Sequence, residues 1–427
     1  MSKINKIFKL FLVVCLLSAT SCDNELTEIN QNPNGVDPSQ GNPSFLLTQV
    51  MVNTALDVGS KGYSGELSAF VQYTQKDSWG NNNYDWDGSG WNTYYGNLRS
   101  AKLALQRSQE LGYTLHEAIA QILMAQNFVT LADYYGDVPY SNAVQADEDV
   151  ILPTYDSQEA VYKGAIADFV AAAASISNNM GNLEAFGASQ DIFFGGDAEK
   201  WMRYANSLAL RYYMRLSEKD PSYAQAGVTA TLAKPLISSV DEECALAYIG
   251  TSDGTAQPSN SSTGGASAFN RVKPCTTFTD RLRELDDPRA SVWFAPVAIP
   301  IKVVAAADVP GGEDDVVVDG VRYINEETLA DNGLKIYDKN TWKADRLAGL
   351  SLVDTSSTYV GLPVSYQGSE PYTYNLNPNP VQGGGNVHVS LMNDQFKEAS
   401  GDFLKARVLS YAEVCFLKAE AALKGWG

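Results

Sequence analysis

Residues 114–140, Thr-Leu-His-Glu-Ala-Ile-Ala-Gln-Ile-Leu-Met-Ala-Gln-Asn-Phe-Val-Thr-Leu-Ala-Asp-Tyr-Tyr-Gly-Asp-Val-Pro-Tyr, restrict the fold more than any other stretch. Apolar side chains recur at Leu115, Ile119, Ile122, Leu123, Phe128, Val129 and Ala132, close to the period of a helix with one buried face. Thr114 and Glu117 stand three apart, the spacing of a capping box. Gly136 tolerates the left-handed conformation that ends helices, and Pro139 blocks continuation. Ala118, Ala120 and Ala125 leave room for a second helix to approach closely. This helix cannot bury its face alone, so the stretch predicts a packed helix pair.

Its partners are legible on both sides. A helix over 92–110 would lie antiparallel to it. Asp156 and Glu159 repeat the capping-box spacing before a periodic run to about 177, and Asp197 is an N-cap for a helix over 198–217. Ser410 and Glu413 open a last helix running to 425. Before these come a helix over 43–57 and a shorter one over 67–75. Such units resemble tetratricopeptide repeats, which bury their faces by stacking. Between 219 and 404 the texture changes: 246–249 and 316–324 read as strands, 252–267 and 371–385 as loops, and 282–289 as a helix ending in a turn. The expected fold is mainly α: a helix-pair scaffold over 43–218 and 405–427, carrying a loop-rich, partly β elaboration over 219–404.

The N-terminus reads as an export signal over 1–21. Lys3, Lys6 and Lys9 precede an apolar run over 10–17, and Ser-Ala-Thr-Ser leads into Cys22. A cysteine after small residues resembles a lipobox, with Ala19 where leucine is usual, so Cys22 is the expected lipidation site and 22–42 a polar tether. No later segment reads as long and apolar enough to span a membrane. Of the remaining cysteines, Cys244 and Cys275 are a possible disulfide, and Cys415 is expected as a buried free thiol.

Composition narrows the chemistry. The net charge of −19 disfavours nucleic acid, whose binders cluster Lys and Arg. With only His116 and His388 there is no histidine ligand cluster, and no phosphate-loop or nucleophile-elbow motif occurs, so no cofactor or metal is expected. His116, in the first turn of a helix, reads as solvated. Asp133 and Asp137 suit a divalent cation or an acid pair, or simple turn geometry around Gly136. A carboxylate pair for glycoside hydrolysis needs only two acids at the right distance, which leaves a lipid-anchored glycosidase as the competing class.

The strongest binding signal is the stretch 79–91, Trp-Gly-Asn-Asn-Asn-Tyr-Asp-Trp-Asp-Gly-Ser-Gly-Trp. A sugar ring offers an apolar C–H face to an aromatic plane and hydroxyls to amides and carboxylates. Trp79, Tyr84 and Trp86 are therefore candidate ligand contacts, whereas Trp91, at a helix start, reads more as core. Tyr366, Tyr372 and Tyr374 form a second candidate patch.

Several motifs carry a resemblance. Leu-Ala-Asp-Tyr-Tyr-Gly-Asp-Val-Pro-Tyr-Ser-Asn-Ala over 131–143, Ile-Asn-Gln-Asn-Pro-Asn over 29–34, Lys-Trp-Met-Arg-Tyr-Ala-Asn-Ser-Leu-Ala-Leu-Arg over 200–211 and Ser-Tyr-Ala-Glu-Val-Cys-Phe-Leu-Lys-Ala-Glu-Ala-Ala-Leu over 410–423 resemble the SusD/RagB-like outer-membrane lipoproteins. The Asp-Pro-Arg turn ending at Arg289 resembles the family too. The resemblance implies a protein lipid-anchored to the outer membrane and facing outward. It also implies a TonB-dependent, SusC-like transporter as partner and an oligosaccharide, or in some members a peptide, as ligand. Relatives of this kind continue beyond the Gly-Trp dipeptide with a further helix, so the chain is expected to be truncated at Gly427.

Overall fold

The computed structural model describes residues 41–63, 66–76, 91–258, 261, 265–364, 366 and 369–427. Helices α1 (Pro43–Tyr63) and α2 (Glu66–Phe70) lead into strand β1 (Thr74–Lys76). Two helix pairs form the scaffold: α3 (Asn92–Leu111) with α4 (Thr114–Tyr135), then α5 (Gln158–Asn179) with α6 (Ala198–Arg215). The short strands β2 (Val138–Pro139) and β3 (Tyr155–Asp156) pair antiparallel at the corner between α4 and α5. Helix α7 (Pro221–Leu232) packs on α6, at the start of the part that the sequence reading took as a loop-rich, partly β elaboration without placing a helix there.

The remainder comprises β4 (Cys244–Leu246), α8 (Gly265–Arg271), β5 (Val272–Pro274), α9 (Thr276–Glu284), α10 (Arg289–Trp293), β6 (Ile301–Val304), β7 (Asp315–Val318), β8 (Val321–Asn325) and α11 (Glu326–Asp331). Then follow β9 (Leu334–Ile336), α12 (Trp342–Leu347), β10 (Ser351–Val353), α13 (Glu370–Thr373), β11 (Ala406–Leu409) and α14 (Tyr411–Leu423). Strands β6, β8 and β7 form a three-stranded mixed sheet, with β6–β8 parallel and β7–β8 an antiparallel hairpin over the run read as strand. Two ladders stitch this part to the scaffold: β1 pairs with β5 and β4 with β11, both antiparallel.

One large apolar cluster runs through the scaffold. Ile119, Ile122, Leu123 and Val129 of α4 are fully buried with Ile166 and Phe169 of α5 and Tyr204 and Leu208 of α6. The loop-rich part holds three smaller clusters of its own. By length and composition α5 is apolar enough to cross a membrane, contrary to the sequence reading. Here Val161, Ile166, Phe169 and Ile176 of that helix are core.

The caps differ from the expected ones in an instructive way. Asp197 and Ser410 cap α6 and α14 as read, accepting from Glu199 and Lys200 N and from Glu413 N. At α4 the tight connection makes Thr114 already helical, and the distant Glu184 accepts from His116 N at 2.9 Å. At α5 the cap is Ser157, because Asp156 is occupied with the backbone of Tyr140 (3.0 Å) and Ser141 (2.8 Å).

Further expectations need correction. His116 is buried, not solvated: its ring lies 2.7 Å from Glu184 Oε1, 2.9 Å from Ser44 Oγ and 4.6 Å from the Phe186 ring centroid. Cys244 and Cys275 are both buried in different apolar clusters and form no disulfide with each other. Cys415 is exposed, since α14 buries only Val414 and Ala421, a stripe too narrow to include it. Trp426 packs against the main cluster while Phe416 and Leu423 of α14 stay open to solvent.

Candidate functional site

The motif over 131–143 turns out to build a corner. Asp133 accepts from the Tyr162 hydroxyl and from Arg215, joining α4 to α5 and α6. Asp137 accepts from Gln158 N at 2.9 Å, at the first turn of α5. Gly136, with φ of 75°, makes the turn between them. Both carboxylates thereby take part in the geometry of the corner. Among the described residues no three His, Cys, Asp or Glu side chains converge as metal ligands.

Cys22, Trp79, Tyr84 and Trp86 lie outside the described residues. Of the aromatic stretch only Trp91 is described, and the chain before it is described up to Lys76. At its far end the partly buried Trp91 ring meets Tyr95 (5.8 Å), Tyr135 (5.6 Å) and the exposed Tyr155 (5.9 Å). Tyr95 is pinned by a 2.8 Å hydrogen bond from its hydroxyl to Pro139 O, and burial pushes its phenol well above the ordinary range.

At the near end, Tyr73 precedes β1 and is half exposed. It stacks on Phe278 of α9 with centroids 4.6 Å apart, and Phe278 stacks on Trp293 of α10 at 5.7 Å. The Arg289 guanidinium lies 5.2 Å from the Trp293 ring centre. It is held there by Asp287, which accepts from Arg289 N at 3.0 Å and from Nη2 at 2.6 Å. That guanidinium holds the Asp287 carboxyl down to about 2. The Asp-Pro-Arg turn thus positions an aromatic column.

Trp293 also lines a groove of about 370 Å³ with Tyr248, Phe396, Phe403, Gln257 and Arg407. Phe396 and Phe403 meet edge to face at 5.4 Å. Arg407 braces the wall, pairing with Glu243 at 2.9 Å and donating to Phe403 O at 2.9 Å. Gln257 Nε2 donates to Phe396 O at 2.7 Å. Gly59 of α1 lets Tyr248 in: a Cβ there would stand 2.4 Å from the Tyr248 hydroxyl. Flat aromatic faces with amide and guanidinium groups at their edges suit a ligand with apolar faces and polar rims.

The second predicted patch is not a surface. Tyr366 and Tyr374 are buried core, 5.3 Å apart edge to face, with the Arg346 guanidinium 3.9 Å from the Tyr366 ring centre. Only Tyr372 of that trio is partly exposed. Loop composition does not reveal that a loop folds back over its own rings. Tyr73, Tyr248, Phe278, Trp293, Phe396 and Phe403 escaped the sequence reading because they are scattered singly. The one available signal was the turn at Arg289, with Trp293 four residues on.

A stacked helix-pair scaffold with an aromatic groove where loops meet it defines a class: binding proteins built on a tetratricopeptide-like frame. The sequence profile of the SusD-like family, described as starch-binding and associating with the outer membrane, matches residues 34–305. The chain belongs to the SusD-like family. A search of curated proteins gives no match. Solved structures with the same fold include a chitin-binding protein (20% identity, TM-score 0.62, covering 90% of this chain and 71% of that one). A Bacteroidetes SusD-like protein aligns at 22% identity and TM-score 0.62 over 91% and 74%. A SusD homologue from Bacteroides fragilis aligns at 19% and 0.57 over 91% and 69%.

Proposed function

We propose that this protein is a lipid-anchored, outward-facing binding protein that captures oligosaccharides and hands them to a TonB-dependent, SusC-like transporter. The observation that carries the ligand class is the aromatic groove around Trp293, joined through Phe278 and Tyr73 to the strand from which the Trp-Asn-Gly stretch departs. Trp79, Tyr84 and Trp86 complete the sugar platform in this reading, and Cys22 carries the lipid. The family's association with the outer membrane supports the location.

The experiment is calorimetric titration of the purified protein with a panel of glycans and peptides, repeated on Trp293→Ala and on a Trp79/Tyr84/Trp86 triple alanine variant. Binding of a glycan that both variants weaken while melting normally is the expected result. Undiminished affinity in both would remove the aromatic site, peptide-only binding would change the ligand class, and turnover with released product would make the protein an enzyme.

A further inference from the structure

A second cavity lies in the helical scaffold, apart from the aromatic groove. It measures about 420 Å³ and sits between α3, α4, α5 and the corner over 140–145. Its floor is apolar: Leu105, Met124, Phe128 and Val144. Its walls carry Glu117, Gln121, Gln145 and Asp168.

The charges there are unevenly committed. Lys102 is the cation in the lining, and its three N–H groups are all in use, by Val144 O (3.0 Å), Asp147 (3.0 Å) and Glu148 (2.9 Å). It has nothing left for an anionic ligand. Asp168, by contrast, accepts from Gln121 Nε2 at 3.0 Å, and a carboxylate has about four acceptor positions. Glu117 accepts from Gln109 Nε2 at 3.0 Å and likewise keeps acceptor capacity. The cavity therefore presents spare carboxylate acceptors over an apolar floor, the complement of a positively charged donor on an aliphatic stem.

We propose that this cavity binds an aliphatic primary ammonium group, of the lysine side-chain type, with the methylenes on Leu105, Met124 and Phe128 and the ammonium at Asp168. This goes beyond the glycan reading and uses none of its residues. The ammonium can come from a free amine or from a polypeptide, and the test separates the two.

The test follows amide shifts of the intact protein by NMR while titrating n-pentylamine, Nα-acetyl-lysine-N-methylamide and its Nε-acetylated form. The expected result is saturable binding of an ammonium probe with shifts at the cavity, and loss of affinity of about tenfold or more on Nε-acetylation and in Asp168→Asn. Asparagine keeps an acceptor for Gln121, so that variant keeps its fold. Gln145→Lys, a substitution at the rim, supplies the cavity with its own ammonium and should also abolish probe binding. Tighter binding of the capped lysine than of pentylamine assigns a chain-borne ligand; equal or tighter binding of pentylamine assigns a free amine. Equal affinity for the Nε-acetylated probe, undiminished affinity in Asp168→Asn, or no binding of either ammonium probe at tens of millimolar, about the weakest affinity such a titration resolves, would overturn the proposal.

Discussion

Arg211 and Glu413, 202 residues apart, form a two-pronged ion pair that closes the scaffold onto its last helix: Nε lies 2.6 Å from Oε1 and Nη2 2.7 Å from Oε2. Nη2 also donates to Val408 O at 3.0 Å, so one guanidinium holds α6, β11 and α14 together. Glu413→Gln should destabilise the protein by about 1–3 kcal/mol. That is less than a wholly buried pair would lose, because the glutamate side chain is 39% exposed. A denaturant midpoint unchanged from wild type would show that α14 docks by its apolar stripe alone.

Glu184 gives the stability a pH dependence. Its burial favours the neutral acid, but hydrogen bonds from the His116 ring and backbone outweigh this and lower its pKa below the ordinary 4.5. A depressed carboxylate contributes fully above the unfolded value and loses that contribution as pH falls through the folded one. Urea midpoints between about pH 5 and 3 should therefore fall less steeply in Glu184→Gln than in wild type, although the variant starts lower. Parallel curves would refute the assignment.

Asp191 is a fully used buried acceptor. It takes Phe193 N (3.2 Å), Phe194 N (3.1 Å), Gly196 N (2.7 Å) and Trp201 Nε1 (2.8 Å). Asp191→Ala strands four donors and should cost on the order of 3 kcal/mol or more, read from chemical denaturation. A cost below about 1 kcal/mol would mean that water replaces it freely.

Tyr374 makes the opposite case. Its hydroxyl is buried without a hydrogen-bond partner, and burial raises its pKa far above the usual range. Tyr374→Phe removes an unsatisfied polar atom and keeps the ring against Tyr366, so stability should stay level or rise by up to about 1 kcal/mol. A clear loss on thermal melting would reveal a partner for that hydroxyl.

Tyr73 is the exposed end of the aromatic column. If the groove and column bind glycan, Tyr73→Ala should weaken binding by about 2 kcal/mol, roughly thirtyfold, while Tyr73→Phe keeps most of the affinity. Full affinity in the alanine variant would confine the site to the groove itself.

The helices were legible because their signals are local. The apolar period from Leu115 to Ala132, the caps at Asp197 and Ser410 and the turn at Gly136 act within a few residues, so a one-dimensional reading recovers them. The cap at Glu184, the burial of His116 and the Arg211–Glu413 clasp join residues between 68 and 202 positions apart, and no periodicity announces such partners. The same holds for the candidate site. The composition of 79–91 marked out a candidate binding stretch, but Tyr73, Phe278 and Trp293 become one column only when β1 pairs with β5 and sets α9 beside it. Tyr366 and Tyr374 had the composition of a surface patch and became core, since burial is decided by what packs over a ring. The sequence by itself determined the scaffold helices, their order and their family. Only the tertiary structure decided which aromatic faces were left for a ligand, because that depends on which faces the rest of the chain had already covered.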